Sequence, residues 1–238
     1  MTAGTDSICA RRSVRRNKKF PPVNILLDLD GTLTDPRVGI VSSIQHALKK
    51  LGRDAPADAA LLRFIGPPLR DAFRDLLGST DPALVEQAIG FYRERYSTVG
   101  LLENELYPGI PEALSALQKR GIRLFVATSK PGIFARRILE HFQLADYFRG
   151  IWGCELDGTR SDKTSLIAHV LEQERLPRQE TVMVGDRSHD AVGALSNGLI
   201  PIGALWGYGN EEELISAGCK RLLRTPSELA RFAMEQSD

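Results

Sequence analysis

Apolar positions along the chain follow two periods. Short, nearly continuous apolar runs occur at 23–27 (VNILL), 122–128 (IRLFVAT), 181–185 (TVMVG) and 199–205 (LIPIGAL). Runs of this length with few polar interruptions suit strands buried on both faces of a parallel sheet. Between them the apolar residues fall three and four apart. Val38, Ile40, Val41, Ile44, Ala47, Leu48 and Leu51 form one helical stripe that ends before Gly52. Further helices are predicted over 54–62, 68–77 and 82–99, the last carrying Leu84, Val85, Ala88, Phe91, Tyr92 and Tyr96. No strand-like run separates Pro36 from Leu106, so 36–106 reads as an all-helical block.

Alternation resumes at Tyr107-Pro108-Gly109. A helix is predicted over 110–119, with Pro111 in its first turn and Gly121 beyond its end. The remaining order is strand 122–128, helix 132–142, short strand 151–154, helix 163–172, strand 181–185, helix 191–197, strand 199–205 and helix 211–217. An edge strand at 221–223 and a helix at 226–234 complete it. Strands separated by helices imply an α/β fold, a Rossmann-like three-layer core with a mostly parallel sheet and an inserted all-helical cap domain. The expected division is a core of 22–35 and 107–238 and a cap of 36–106. A helical insert directly after the first strand is well placed to exclude water from a site at that strand's end. The alternative is a packing or dimerisation element.

Charge and cysteine content narrow the function without naming it. Thirty-one Lys and Arg against 30 Asp and Glu leave a formal net charge of +1, which gives no electrostatic case for a nucleic-acid polymer or an acidic membrane. Cys9, Cys154 and Cys219 form neither a zinc signature nor a disulfide framework, and a reducing cytoplasm is the simplest setting. Residues 1–21 differ from the rest: Arg11, Arg12, Arg15, Arg16, Lys18 and Lys19 crowd a segment with little apolar content. It reads as a disordered basic tail, or alternatively as a weak polyanion-binding arm. No signal-peptide core follows it, and no stretch reaches transmembrane length.

Candidate chemistry sits where the apolar runs end. Asp28 and Asp30 close the first run one residue apart, followed by Gly31-Thr32. Buried paired carboxylates are costly without a partner, and a divalent cation relieves that cost; oxygen donors favour Mg²⁺. The bland alternative is an acidic turn at a sheet edge. Thr128-Ser129 ends the second run, where a hydroxyl and adjacent amides can bind a phosphoryl oxygen, or Thr128 can cap the next helix. Lys130 would meet substrate or solvent. Lys163 opens a helix, an electrostatically unfavourable place for a cation unless an anion compensates it; a surface lysine is the alternative. Asp186 and Asp190 follow the third run and can ligate a metal or cap the following helix. His189 between them suits a solvent or substrate-rim position better than an Mg²⁺ site.

D-L-D-G-T-L-T at 28–34 resembles the first motif of the haloacid dehalogenase-like phosphohydrolases. Thr128, Lys163 and G-D-R-S-H-D at 185–190 fall in order as the second, third and fourth motifs, so the resemblance spans about 22–235. It implies Asp28 as phosphoryl-accepting nucleophile and Asp30 as general acid and base. It further implies Thr128 and Lys163 on the phosphoryl oxygens, and Mg²⁺ held by Asp28, the Asp30 carbonyl, Asp186 and Asp190. Members resembling phosphoglycolate phosphatase usually carry Asn where this chain has Ser129. The F-I-G-P-P-L loop at 64–69 has the look of their specificity loop. In it Gly66 would allow close approach, Arg70 would meet an anionic substrate tail, and Phe64 with Phe73 and Tyr92 would form an apolar base-binding wall. With no multi-arginine carboxylate clamp in view, the expectation is a 5′-nucleotidase acting on a small phosphorylated metabolite. Phosphoglycolate phosphatase or another small sugar-phosphate phosphatase is the alternative; a phosphomutase and a catalytically silent interaction module stand further off.

Overall fold

The computed structural model describes residues 24–232; the basic tail expected over 1–21 lies outside them. The chain opens with β1 (Asn24–Leu27), whose residues are all buried, and a two-residue strand β2 (Thr34–Asp35). Helices α1 (Arg37–Lys50), α2 (Asp58–Leu61), α3 (Leu69–Leu77) and α4 (Pro82–Arg95) follow. Then come β3 (Glu105–Leu106), α5 (Ile110–Lys119), β4 (Arg123–Pro131), α6 (Gly132–His141), β5 (Phe148–Cys154) and α7 (Lys163–Gln173). The chain continues through β6 (Thr181–Gly185), α8 (Ser188–Ser196), β7 (Ile200–Ala204), α9 (Glu211–Ser216), β8 (Arg221–Leu223) and α10 (Pro226–Phe232).

Six strands form one parallel sheet in the order β5-β4-β1-β6-β7-β8. The most apolar run therefore becomes a central strand, with Leu27 in register with Val126 of β4 on one side and Val184 of β6 on the other. Its two neighbours come from opposite directions of winding, so Asp28 emerges at the switch point where an open α/β sheet leaves a crevice. Apolar layers cover both faces. Ile25, Leu27, Leu124, Val126, Val182 and Val184 pack towards the cap side, and Leu26, Phe125 and Met183 meet Leu166, Ile167 and Val170 of α7 on the other.

The insert departs from its expected outline in three places, each with a local cause. Helix over 54–62 is confined to α2 and a 3₁₀ turn at Leu62–Phe64, because Pro56 disfavours helical dihedrals at Ala55 before it. The helix over 82–99 ends at Arg95 and passes into a π-helical turn, Tyr96–Gly100, in which the Leu101 amide reaches the Tyr96 carbonyl at 2.7 Å. The stretch to Leu106 is also not free of strand. Thr34 and Asp35 pair antiparallel with Leu106 and Glu105, a two-rung ribbon at the base of the insert that is too short to show alternation.

At that base α1 and the π-turn are in backbone contact. A Cβ on Gly39 would overlap the Gly100 carbonyl oxygen, and one on Gly100 would stand 2.7 Å from Ser43 Oγ. Alanine gains up to about 1 kcal/mol over glycine in an exposed helix interior, but here backbone would have to move. Gly39→Ala is expected to lose about 1–3 kcal/mol of stability, the usual cost of overpacking. Chemical denaturation checks this, and a gain in midpoint would refute the contact as described.

Candidate active site

Asp28 is fixed one residue beyond β1. Its amide donates to the Val184 carbonyl at 3.0 Å, continuing the sheet. Its Oδ1 accepts from the Leu29 amide at 2.8 Å and from Lys163 Nζ at 2.9 Å. Both contacts engage one oxygen and leave Oδ2 to point elsewhere. Lys163 is the first residue of α7 behind the N-cap Asp162, whose carboxylate accepts the Ser165 amide at 2.9 Å. It is 4% exposed, and its ammonium also contacts Asp190 Oδ1 at 2.6 Å and donates to the Ala127 carbonyl at 2.8 Å. The unfavourable helix position is thus compensated by two carboxylates and a carbonyl. α8 packs close enough for this that a Cβ on Gly193 would come 2.7 Å from Lys163 Cβ.

Asp186 is fully buried beyond β6. Thr32 Oγ1 donates to its Oδ1 at 3.2 Å and the Tyr208 amide to its Oδ2 at 2.8 Å. The turn Asp28–Thr32 closes against it because Gly31 has φ +84°, and any Cβ there would overlap the Asp186 carboxylate. Asp190 lies inside α8, which starts at Ser188 rather than 191. Its Oδ2 accepts the Arg187 amide at 3.2 Å, so one carboxylate both caps the helix and meets Lys163. His189, next to it, is exposed.

Carboxylate oxygens of Asp28, Asp186 and Asp190 lie within 4.8 Å of one another, all buried. Burial, then repulsion from Asp190 and Asp28, pushes the Asp186 carboxyl well above the usual range. Burial and the Asp28 charge push Asp190 up to about 6 against the opposing pull of Lys163. One lysine among three carboxylates leaves the cluster short of positive charge, and its all-oxygen donor set fits a hard divalent cation.

Asp30 belongs to a different arrangement. Its side chain turns away from that cluster to Lys130, whose Nζ stands 2.7 Å from Oδ2. Burial pushes the Asp30 carboxyl up, while Lys130 opposes the shift. Of the expected metal residues, Asp30 therefore contributes no carboxylate to that cluster. Thr128 is buried beside Asp28; its Oγ1 accepts the Lys130 amide at 3.3 Å. Ser129 lines the same cavity and gives its carbonyl to Cys154 Sγ at 3.0 Å.

A cavity of about 60 Å³ lies above these groups, walled by Phe64, Gly66, Leu69, Tyr92, Tyr96 and Phe134. Gly66 adopts φ +103°, and the Ile65 carbonyl beside it accepts from Arg187 Nη1 at 2.7 Å. Phe73 is fully buried within the cap, edge-on to Tyr92, and does not line the cavity. Arg70 overturns its expected role. It does not line the cavity but donates to Glu86 at 2.7 Å and to the Asp157 carbonyl at 3.2 Å, because α3 carries it on the flank facing the β5–α7 loop. Two cations line the cavity in its place: Arg93, which the sequence did not mark, and Lys130, for which it left substrate or solvent open. Arg93 lines the cavity with Nη2 on the Leu156 carbonyl at 2.6 Å, and Lys130 is one of two buried lysines among the described residues. Only Lys130 had a legible signal, its place two residues after Thr128.

Comparison with known proteins agrees with this geometry. A model of the haloacid dehalogenase-like hydrolases matches residues 25–204. A protein named 5′-nucleotidase from Pseudomonas aeruginosa is 52% identical over 191 residues, covering 80% of this chain and 86% of that one. The tyrosine-protein kinase PtkA of Mycobacterium tuberculosis is 43% identical over 80% of this chain, which spans 65% of that protein's length. Among solved structures, a predicted phosphatase from Clostridium acetobutylicum superposes with a TM-score of 0.86 at 40% identity, covering 89% of this chain and 98% of that one. With the acidic strand ends at Asp28 and Asp186, Thr128 and the helix-opening Lys163 converging beneath a helical insert, and a family match over most of its length, the chain belongs to the haloacid dehalogenase-like hydrolases.

Proposed function

We propose that the protein hydrolyses phosphate monoesters through an aspartyl-phosphate on Asp28, with nucleoside 5′-monophosphates as its substrates. The observation that carries the chemistry is the pairing of two buried carboxylates with different partners: Asp28 held through Oδ1 by Lys163, and Asp30 held by Lys130. Asp28 Oδ2 attacks phosphorus in line, and the bond to the leaving alkoxide breaks as Asp30 gives it a proton. Burial favours the protonated Asp30 that this step needs. Asp30 then takes a proton from water, which attacks phosphorus, releases phosphate and frees Asp28. Lys163, Thr128 and the Ser129 amide neutralise the equatorial oxygens. Mg²⁺ held by Asp28, Asp186, Asp190 and the Asp30 carbonyl would supply charge neutralisation for the phosphoryl group when bound.

The aromatic wall of Phe64, Tyr92, Tyr96 and Phe134 and the 52% identity to a protein named 5′-nucleotidase support the nucleotide reading. A second reading, phosphoglycolate or a similarly compact anionic ester, draws on Arg93 and Lys130 above Asp30 and on the size of the cavity. About 60 Å³ is well below the roughly 300–1,000 Å³ of pockets for drug-sized ligands, so a nucleoside requires the cap to open around it. The two described cysteines are free and buried, in keeping with the proposed reducing cytoplasm, and no described helix is long and apolar enough to cross a membrane.

Phosphate release from nucleoside monophosphates, phosphoglycolate and sugar phosphates tests the reading. Asp28→Asn is expected to keep its fold and lower kcat by about 10⁴-fold or more, as loss of a nucleophile does; a folded variant with normal turnover would end the mechanism. Arg93→Ala should raise KM for compact anionic esters about tenfold more than for nucleotides if the second reading is right. Arg70→Ala, outside the cavity, should change all substrates alike, and a selective loss would restore its expected role.

The metal has a separate signature in stability. A carboxyl whose folded pKa is raised holds a proton that the unfolded chain releases. The metal-free fold therefore loses stability as pH rises from the ordinary value of 3.8 through about 6 for Asp190, and the raised Asp186 adds a loss of the same sign. Bound cation should offset this loss, so Mg²⁺ is expected to raise Tm more at pH 7.5 than at pH 5. Thermal melts with and without Mg²⁺ measure it, and an unchanged Mg²⁺ response in Asp186→Asn would refute the assignment.

A further inference from the structure

Lys130 is poorly explained as a packing residue. It is the penultimate residue of β4, where register with β5 slips between Thr128 and Pro131. That irregularity swings its side chain over the site instead of along the sheet. There its ammonium meets Asp30 Oδ2 at 2.7 Å and donates to the Tyr96 hydroxyl, while lying 4.8 Å from the Tyr96 ring centroid. Tyr96 belongs to the insert, opens its π-helical turn and stacks on Tyr92 with centroids 5.1 Å apart. The other Asp30 oxygen, Oδ1, is buried and has no protein hydrogen-bond partner. A core cation thus holds one oxygen of a core carboxylate while a cap hydroxyl holds the cation.

We infer that Lys130 is a positioning residue which fixes Asp30 through Oδ2, leaves Oδ1 alone to exchange protons with the leaving group and water, and does so in a geometry set by cap Tyr96. The inference rests on the phosphomonoester reading. Its physical basis is orientation: proton transfer requires the acid oxygen within hydrogen-bond reach of the reacting oxygen, and a carboxylate free to rotate presents it only part of the time. With Lys130 on Oδ2 and no protein donor on Oδ1, Oδ1 is the oxygen presented. Because Tyr96 comes from the cap, the arrangement is complete only when the cap sits over the core.

Leaving-group dependence tests this. An alkyl ester such as a nucleoside monophosphate needs the departing oxygen protonated, whereas an aryl ester with an acidic phenol does not. For Lys130→Met, kcat/KM is expected to fall about 10²-fold or more on the alkyl ester, the usual worth of general acid catalysis, and less than about fivefold on the aryl ester. Phosphoenzyme trapped by acid quench should accumulate during aryl-ester turnover, since water activation also uses Asp30. Tyr96→Phe keeps the ring stack and removes only the hydroxyl, so it should shift the same ratio in the same direction even if Lys130→Met is too unstable to assay. Equal losses on both esters without trapped phosphoenzyme, or a rise in KM alone, would mean that Lys130 binds substrate or merely packs, and would overturn the inference. If the unaltered protein hydrolyses neither ester, the phosphomonoester reading fails and takes this inference with it.

Discussion

Everything at this site follows from burying charge at the end of a central strand. Asp28, Asp186 and Asp190 are at most 3% exposed, and Lys163 is the one cation placed among them. Desolvating such groups costs several kcal/mol each unless geometry returns the energy as close ion pairs and hydrogen bonds. The fold meets that demand by local devices. The Leu29 and Tyr208 amides donate to carboxylate oxygens, Thr32 adds a hydroxyl, and α7 begins where its first side chain can reach two acids at once. Close approach is the price of this arrangement. Gly31 is needed because the first acidic turn has to touch Asp186 with a backbone that no Cβ could share.

The insert answers a second demand, a dry chamber above the carboxylates that can still admit substrate. Polar contacts at two loops help fasten it to the core, beside those of Lys130 with Tyr96 and of Arg137 with the Ser97 carbonyl. Arg187, between the two acidic residues of α8 and its approach, donates to the Ile65 carbonyl. Arg70 and Arg93 donate to carbonyls of the β5–α7 loop. These contacts are partly solvated, individually weak and separable, in contrast to the apolar packing within each layer. Arg187 also links the two demands, since its own amide is held by Asp190 while its guanidinium holds the 64–69 loop.

The sequence by itself determined the sheet, the position of the acids and the existence of the helical insert. Apolar runs such as 23–27 and 181–185 are short, predominantly hydrophobic and separated by helical stretches, which favours doubly buried strands, and an acid directly after such a strand sits at its carboxyl edge. Lys163 was legible because a cation at a helix start asks for an anion. Tertiary structure alone decided what the long, flexible side chains do. Arg70 and Arg93 lie on neighbouring cap helices and both donate to carbonyls of the β5–α7 loop, yet only Arg93 also lines the cavity, a difference of facing set by how α3 and α4 pack on the core. Lys130 became a partner of Asp30 through a register slip that no period announces, and Tyr96 reached it through a π-turn where the pattern indicated unbroken helix. Strand ends fix short side chains to within one residue of the backbone trace. Side chains with four or more rotatable bonds are placed by what surrounds them, and that is known only once the chain has folded.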